Sequence, residues 1–406
     1  MTKPPRIFRS TDVVGIGRLA TDAIVGLTDV VEALHGHIAL SSCSLDPTLA
    51  DVSTSGITGL VYNSIRGVNR LVNQTFTRLG PLMSPAVETE FSPKREVMLA
   101  ALNGVVGDYL ARTSNPLAIS MSIRRNGHPL EIERSILRSA IPEITGKVLL
   151  LVHGLCLSDL QWKRDAHDHA EALALELGYT PVYLNYNTGL HVAENGRLLA
   201  GLLEGLVEQW PVRVQELAII SHSMGGLVVR SAHYYGDAAG HHWPAHLRQM
   251  IFLGTPHHGA TLERLGNWVN TVLEVSPYAA PIARVGKIRS AGITDLRHGS
   301  VLEDDWKGRD RFTSNKDVRV PLPLPAGVQC YAVAVTQRPA DGNPCLDLLG
   351  DGFVSVNSAL GRHREPERCL EFGESHQWTG YGMSHWDLLS HPAVYEQVRR
   401  WIVVQP

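Results

Sequence analysis

The sequence predicts an α/β fold with a doubly wound, mostly parallel sheet, preceded by a helical N-terminal region. Three observations support this prediction. Short apolar runs that indicate buried strands alternate with helical patterns between residues 147 and 335. Asn126-Gly127, a strong hairpin turn, opens this part of the chain. Amphipathic helical patterns, by contrast, dominate the first 115 residues.

Composition limits the classes of function. The 406 residues can bury one large core or two modest ones, and 44% hydrophobic with 19% charged residues is typical of a globular protein. A net charge of -3 provides no basic surface for nucleic acid, so we expect no nucleic-acid partner. Five scattered cysteines argue against a disulfide framework. A Cys330–Cys345 bridge stays open but is not favoured.

Neither a signal peptide nor a membrane span is expected. No continuous apolar segment follows the basic N-terminus, and no stretch reaches the roughly 18 uninterrupted apolar residues that a span needs. We therefore expect a cytoplasmic protein. The charged residues that interrupt the first apolar segment are Asp12, Arg18, Asp22 and Asp29.

Residues 1–115 carry three amphipathic stripes. They cover about residues 12–36, residues 57–79, and a segment that begins at the start signal Ser92-Pro93. Such helices can pack together, cover a groove or contact another subunit. We favour a helical subdomain that shares its core with the rest of the chain, and we expect any homo-oligomer contact here. Docking on a membrane is less favoured because the polar faces are mixed rather than rich in Lys and Arg.

Residues 116–406 form the predicted catalytic domain. A hairpin is expected over residues 117–132, followed by alternating strands and helices. An insertion of about residues 260–313 carries a predicted amphipathic helix, so it is either a mobile lid or a fixed cap, and the sequence favours neither. The predicted strands are 147–152, 180–186, 217–220, 247–253 and 328–335, and the predicted helices are 165–177, 192–209, 224–235 and 392–403.

Ser223 is the candidate nucleophile. It lies between a buried strand and a helix in S-H-S-M-G at 221–225, where Ser221 replaces the first glycine of the usual G-x-S-x-G pattern. Small residues suit a strained turn that lifts the hydroxyl out of the sheet. The alternative is an ordinary strand-to-helix turn, so partners elsewhere in the chain must decide.

An activated serine also needs an oxyanion site. The first strand of the domain ends in His153-Gly154, and the glycine allows the backbone to turn and present amides. We predict that the N–H groups of Leu155 and Met224 form the oxyanion hole. His153 is interpreted as a structural residue, and Cys156 lacks a partner that would lower its pKa.

The acid and the base are expected on late loops. Asp351 lies between two glycines after the last predicted strand and is preferred over Asp347 and Asp341, although a turn aspartate that bonds its own backbone would show the same pattern. His385 follows a glycine-rich loop before the final helix. Its rivals are His391, next to the helix start, and His376.

The order Ser223, Asp351, His385 is that of α/β-hydrolases. Residues 147–402 resemble this superfamily, in its bacterial lipase and GPI inositol-deacylase-like branch, whereas residues 1–115 match nothing usable. The resemblance implies ester hydrolysis through an acyl-enzyme. The segments that carry it are Val152-His153-Gly154-Leu155, Ser221-His222-Ser223-Met224-Gly225-Gly226, Leu253-Gly254-Thr255-Pro256-His257-His258-Gly259, Gly350-Asp351-Gly352-Phe353-Val354 and His385-Trp386-Asp387-Leu388-Leu389.

The sequence thus predicts a serine-dependent carboxylic ester hydrolase, a lipase or esterase, without a cofactor or a metal. Its substrate is expected to be an ester with an apolar acyl chain, because the insertion is apolar. An acyltransferase or thioesterase on the same fold stays open, as does an inactive hydrolase-fold scaffold. These alternatives share the predicted fold and differ in the reaction, if any, at Ser223.

Overall fold

The computed structural model provides the fold of most of the chain. It divides into two compact units, one of residues 1–95 and 110–118, the other of residues 96–109 and 119–406. Residues 96–109 of the predicted N-terminal region therefore group with the unit that holds the sheet. The residues that the structure describes are 9, 11–12, 14–22, 91–260, 290–308, 317, 319–339 and 350–403.

The described part of the smaller unit contains helices. Residues 14–22 are helical, Arg95 forms an ion pair with Asp12 at 2.7 Å, and the Asn115 side-chain amide donates to the Gly15 carbonyl at 3.1 Å. The predicted helix over residues 12–36 is confirmed up to residue 22, and its remainder, like the helix predicted over 57–79, lies outside the described residues. The third predicted helix is confirmed and begins at Pro93.

The elements are numbered here in chain order. The helices are α1 (Pro93–Arg112), α2 (Arg134–Ala140), α3 (His169–Leu177), α4 (Val192–Gln209), α5 (Met224–Ala238), α6 (Ala291–Asp295), α7 (Val356–Ala359) and α8 (Pro392–Val403). The strands are β1 (Ser122–Arg125), β2 (His128–Pro129), β3 (Lys147–Val152), β4 (Thr180–Asn185), β5 (Glu216–His222), β6 (Leu247–Leu253), β7 (Gln329–Thr336) and β8 (Gln377–Tyr381). Within the described ranges, no helix has the length and apolar character needed to cross a membrane.

One mixed sheet organises the larger unit, with the described strands in the order β2-β1-β4-β3-β5-β6-β7-β8. From β4 to β8 every neighbouring pair is parallel, while β1 is antiparallel to both β2 and β4. The predicted doubly wound, mostly parallel sheet is confirmed. The predicted hairpin adds its edge, with Asn126 and Gly127 both at positive φ, as its turn requires.

The sheet is buried on both faces, which explains its continuous apolar strands. Side chains alternate along β3. Leu149 and Leu151 pack in a core with residues of α3 and α8. Val152 has the opposite parity and contacts α5, which also packs against β5 and β6. Helices therefore cover both faces and leave the carboxyl edge of the strands open to carry loops.

The strand order creates a switch point between β3 and β5. The chain passes from β3 to β4 on one side and then crosses to β5 on the other side of β3. Val152 of β3 lies opposite Ser221 of β5 in this parallel pair. The loops that follow these strands consequently leave the sheet side by side, which is where ligands bind in open α/β sheets.

The predicted insertion of about residues 260–313 is described only in part. Its amphipathic helix, over residues 262–273, lies outside the described residues. The described segment 290–308 contains α6, and its apolar side chains, including Ile293, Leu296 and Val301, are buried. This segment thus contributes buried side chains to the core.

Strand β8 is absent from the sequence prediction. Its residues Gln377-Trp378-Thr379-Gly380-Tyr381 are mostly polar or half-buried and include a glycine. Such a strand lacks the apolar run that marks the others, because it lies at the edge of the sheet and pairs only with β7 among the described strands.

Candidate active site

Ser223 occupies a strained turn between β5 and α5. Its φ of 54° and ψ of -126° lie in a region that non-glycine residues seldom adopt. The Ser223 N–H donates to the Leu253 carbonyl at 2.8 Å, and its carbonyl accepts from the Gly226 N–H at 3.1 Å. The turn is therefore held from both sides, and α5 begins directly at the next residue.

Two small residues around Ser223 explain the local motif. A Cβ on Gly225 would lie 2.5 Å from the Val152 carbonyl oxygen, so α5 approaches β3 too closely for any side chain there. Ser221, in contrast, is buried within β5 and donates its hydroxyl to the Ile251 carbonyl at 3.2 Å. The serine in place of the usual glycine is accommodated by this bond to the neighbouring strand.

Asp351 and His385 form a buried pair. The His385 Nδ1 lies 2.6 Å from Asp351 Oδ2, and the two side chains are 2% and 1% exposed. The other carboxylate oxygen, Oδ1, accepts from the N–H groups of Phe353 and Val354 at 2.9 and 2.8 Å. Asp351 is therefore both a turn aspartate and the partner of His385, and one interpretation does not exclude the other.

His385 lies beside the serine turn. Gly254, which follows the residue that binds the Ser223 N–H, packs against the imidazole; a Cβ on it would lie 3.0 Å from His385 Cε1. From the other side, His222 Nε2 contacts the His385 carbonyl at 3.3 Å, with ring centroids 4.5 Å apart. The structure thus brings Ser223, His385 and Asp351 to the same carboxyl edge of the sheet.

The predicted oxyanion donors lie next to this group. Gly154 brings the loop after β3 against the serine, since a Cβ on it would lie 2.9 Å from the Ser223 Cβ. Leu155 and Met224 are both buried. Across the described part of the chain, neither of their N–H groups has a hydrogen-bond acceptor. Two main-chain donors are therefore free to bind a negatively charged oxygen.

His222 is a neighbour of the site that sequence reasoning did not assign. Burial, followed by the neighbouring His385 imidazole, holds the pKa of His222 well below its usual range. Because a carbonyl oxygen can only accept, the His222 Nε2–H donates to the His385 carbonyl. Its position directly before Ser223 was visible in the sequence. Its contact with a residue far along the chain was not, because that contact depends on the fold.

His153 and Cys156 have no assigned proton-transfer role. The His153 Nδ1–H donates to the Gly154 carbonyl at 3.0 Å, the ring stacks on Tyr186, and burial lowers the His153 pKa to about 4. Burial raises the pKa of the Cys156 thiol. Both groups are therefore neutral near pH 7, which suits a structural role.

The structure describes the two rival bases but not the two rival acids. Asp341 and Asp347 lie outside the described residues. His376 lies against Tyr331, with ring centroids 4.4 Å apart, and His391 accepts from the Ala393 N–H at the start of α8. Neither rival histidine forms the carboxylate pair that His385 forms. In the ranges that the structure covers, no cluster of three His, Cys, Asp or Glu side chains could hold a metal ion.

Residues 143–323 match the family described as PGAP1-like alpha/beta domain. The fold is that of the α/β-hydrolase superfamily, and the matched range covers somewhat under half of the chain. The matched range contains Ser223, whereas Asp351 and His385 lie beyond its end. No curated protein gives a significant match to this chain.

Solved structures similar to this hydrolase-fold chain share little sequence with it. Aspergillus fumigatus lipase B is 13% identical with a TM-score of 0.37, over 66% of this chain and 56% of the lipase. The chain thus spans little more than half the length of that lipase. The Pyrococcus furiosus esterase Pf2001 is 12% identical with a TM-score of 0.36, over 64% of this chain and 79% of the esterase. The Streptomyces coelicolor thioesterase RedJ is 14% identical with a TM-score of 0.34, over 69% of this chain and 95% of the thioesterase.

Two buried histidines predict that the free energy of unfolding falls at acid pH. Burial lowers the pKa of His153 and His169 to about 4, while each takes up a proton below about 6.5 in the unfolded chain. The unfolded state then binds more protons, so the free energy of unfolding falls as pH drops below about 6.5, by up to about 1.4 kcal/mol per pH unit for each histidine. Urea unfolding between about pH 7.5 and 5 measures this slope.

A pair of variants separates the contribution of one histidine to this pH dependence from the contribution of carboxylates that titrate at acid pH. His169→Gln is expected to flatten the slope, because His169 is fully buried and its Nε2 contacts the Leu388 carbonyl at 3.0 Å. His128→Gln makes the same substitution at an exposed hairpin position and is the matched comparison. Equal slopes for His169→Gln and the parent would contradict the prediction.

Proposed function

We propose that the protein is a serine hydrolase that cleaves carboxylic esters, with Ser223 as nucleophile, His385 as general base and Asp351 as the acid that orients it. The observation that carries the proposal is the buried 2.6 Å contact between Asp351 Oδ2 and His385 Nδ1, beside a serine in a strained turn. A nucleophile, a base and a group that orients the base are the three parts that covalent catalysis by serine requires.

The first half of the reaction forms an acyl-enzyme. Because Asp351 engages Nδ1, the His385 Nε2 is the nitrogen that accepts the Ser223 hydroxyl proton as Oγ attacks the ester carbonyl carbon. The carbonyl π electrons move onto oxygen, and the N–H groups of Leu155 and Met224 bind the resulting oxyanion. When the intermediate collapses, the bond to the leaving oxygen breaks and His385 donates its proton to the alcohol.

The second half releases the acid. His385 takes a proton from water, the hydroxide attacks the acyl carbon, and the same two N–H groups bind the second oxyanion. Collapse breaks the bond to Ser223 Oγ, which recovers its proton from His385. Asp351 keeps the imidazole in the tautomer with hydrogen on Nδ1 and stabilises its charged form throughout.

The surroundings strengthen these interactions. The carboxylate and the imidazole are both almost fully buried, and charges interact more strongly in a site that excludes water than in solution. The oxyanion donors are main-chain groups, fixed by the loop after β3 and by the first turn of α5. Their alignment therefore requires no reorganisation during the reaction.

Labelling with a fluorophosphonate probe tests whether the serine is activated. We expect one covalent adduct per chain, on Ser223, because the probe reacts with a serine whose proton a neighbouring base removes. The adduct is measured by intact mass and assigned by peptide fragmentation. Ser221→Ala should retain the adduct, whereas failure of the parent protein to react would favour an inactive hydrolase-fold scaffold.

A chain-length series of p-nitrophenyl esters, with emulsified triglyceride alongside, tests the proposed acyl specificity. The proposal of an apolar acyl chain rests on the apolar residues 262–273, which lie outside the described residues. Turnover is therefore expected to rise from acetyl to longer acyl groups. Added alcohol or thiol acceptors, followed by product analysis, would expose acyl transfer if the transferred product exceeded the free acid.

A further inference from the structure

We propose that the middle of α1, residues 96–109, positions the two oxyanion-binding amides and so acts on the reaction without touching the substrate. This inference rests on the proposed function of Ser223, Leu155 and Met224. It concerns a segment that lies before residues 143–323, the range of the family match. Residues 96–109 belong to the same compact unit as the sheet.

The first contact joins α1 to the loop that carries Leu155. Gly104 packs against Cys156, the residue that follows Leu155; a Cβ on Gly104 would lie 2.1 Å from the Cys156 sulfur and 2.9 Å from its Cα. Cys156 is buried and has a φ of 60°. Only a residue without a side chain lets the helix approach the loop this closely, so α1 fixes the backbone next to the Leu155 N–H.

The second contact joins the same loop to α1 through residues 187–189. The Cys156 N–H donates to the Thr188 hydroxyl at 3.1 Å, and the neighbouring Asn187 side-chain amide donates to the Gly107 carbonyl at 2.9 Å. Asn187 Oδ1 accepts from the Gly189 N–H at 3.0 Å, which holds this turn in place. The Leu155 loop is thus fixed from two directions by groups that converge on α1.

The third contact reaches the side chain of Met224, the residue whose N–H is the other proposed oxyanion donor. The Ser290 hydroxyl donates to the Gly104 carbonyl at 2.6 Å, and the Gly292 N–H donates to the Gly189 carbonyl at 3.1 Å. Gly292 in turn packs against Met224, since a Cβ on it would lie 3.0 Å from the Met224 Cε. One stretch of α1 therefore supports the surroundings of both N–H donors.

The alignment of these donors determines how much they accelerate the reaction. An oxyanion hole binds the transition state only when its donors lie about 2.7–3.1 Å from the developing charge. A displacement of about 1 Å can lower the rate roughly 100-fold. Residues of α1 that fix this geometry are consequently positioning residues: they should affect the transition state more than the bound substrate.

The first experiment compares Gly104→Ala with Gly201→Ala. Gly201 is an exposed position on α4 at which an added Cβ meets nothing within 4 Å. The fluorophosphonate titrates active sites, so that kcat is expressed per labelled serine. We expect Gly104→Ala to lower kcat about 10- to 100-fold with KM nearly unchanged. An alkyl boronic acid forms a tetrahedral adduct with the serine, and its affinity for Gly104→Ala should fall to a similar degree. Gly201→Ala should match the parent in all three measurements.

A merely structural role for Gly104 would give a different result. It would lower the melting temperature or the fraction of labelled protein, while kcat per labelled serine and the boronic acid affinity stayed at the parental values. That outcome, in a folded Gly104→Ala protein, would overturn the inference. Ser223-dependent activity in the parent, measured first, separates failure of this inference from failure of the proposed function.

A second pair of variants decides the question if Gly104→Ala does not fold. Thr188→Val removes the acceptor of the Cys156 N–H at a buried position, whereas Thr188→Ser keeps the hydroxyl. We expect Thr188→Val to lower kcat per labelled serine about tenfold or more, and Thr188→Ser to recover most of that loss. Equal kcat values for the parent and Thr188→Val would overturn the inference.

Discussion

Ser223→Ala is expected to lower kcat for p-nitrophenyl ester hydrolysis by roughly 10⁴- to 10⁶-fold. The proposed reaction requires a covalent bond from Ser223 Oγ to the acyl carbon, and alanine cannot form it. Residual turnover would come from binding and from the Leu155 and Met224 amides alone. Steady-state kinetics measures the change, together with circular dichroism and a melting curve to show that the protein is folded.

Ser221→Ala is the matched control, because it removes a hydroxyl from the same motif two positions earlier. Ser221 donates to the Ile251 carbonyl inside the sheet, so its loss is expected to cost about 1 kcal/mol of stability and little activity. If Ser223→Ala kept near-parental turnover, or if the two variants lost activity equally, Ser223 would not be the nucleophile.

Asp351→Asn is expected to lower kcat by about 10⁴-fold while leaving the fold intact. The asparagine oxygen can replace Oδ1 and keep the bonds from the Phe353 and Val354 N–H groups. Its amide nitrogen, however, would face His385 Nδ1 as a donor and favour the tautomer with hydrogen on Nε2. That nitrogen could then no longer accept the serine proton.

Asp237→Asn, an exposed change on α5, provides the corresponding control with no expected loss of kcat. Thermal melts of both variants should stay close to the parent. If the kcat of Asp351→Asn stayed within about tenfold of the parent, Asp351 would stabilise only its own turn and would not orient His385. Another residue would then have to be the orienting acid.

The sheet was predictable because its strands are buried on both faces. The prediction places β3 and β6 at residues 147–152 and 247–253, where the structure has them, and shortens β5 by a residue at its start and two at its end. Strand β8 was missed because an edge strand keeps polar residues. The position of β3 between β4 and β5 also depends on the packing of the whole unit, which local patterns do not encode.

The candidate site, like the sheet, was predictable only in part. Ser223, Asp351 and His385 were predicted from short motifs in a characteristic order, and the structure brings them to one edge of the sheet. The sequence could not show that Asp351 uses its two oxygens for separate purposes, nor that His222 contacts the His385 carbonyl. Such contacts join residues 34 or 163 positions apart and follow only from the fold.

The close approach of α1 to the Leu155 loop affects how the protein can be shortened. A version that starts at residue 116 would retain every group that makes or breaks a bond, yet it would lack Gly104 and the carbonyls that anchor Asn187 and Ser290. On this proposal, the reacting groups and the helix that aligns them lie in separate stretches of the chain. A minimal catalytic fragment should therefore begin ahead of Pro93.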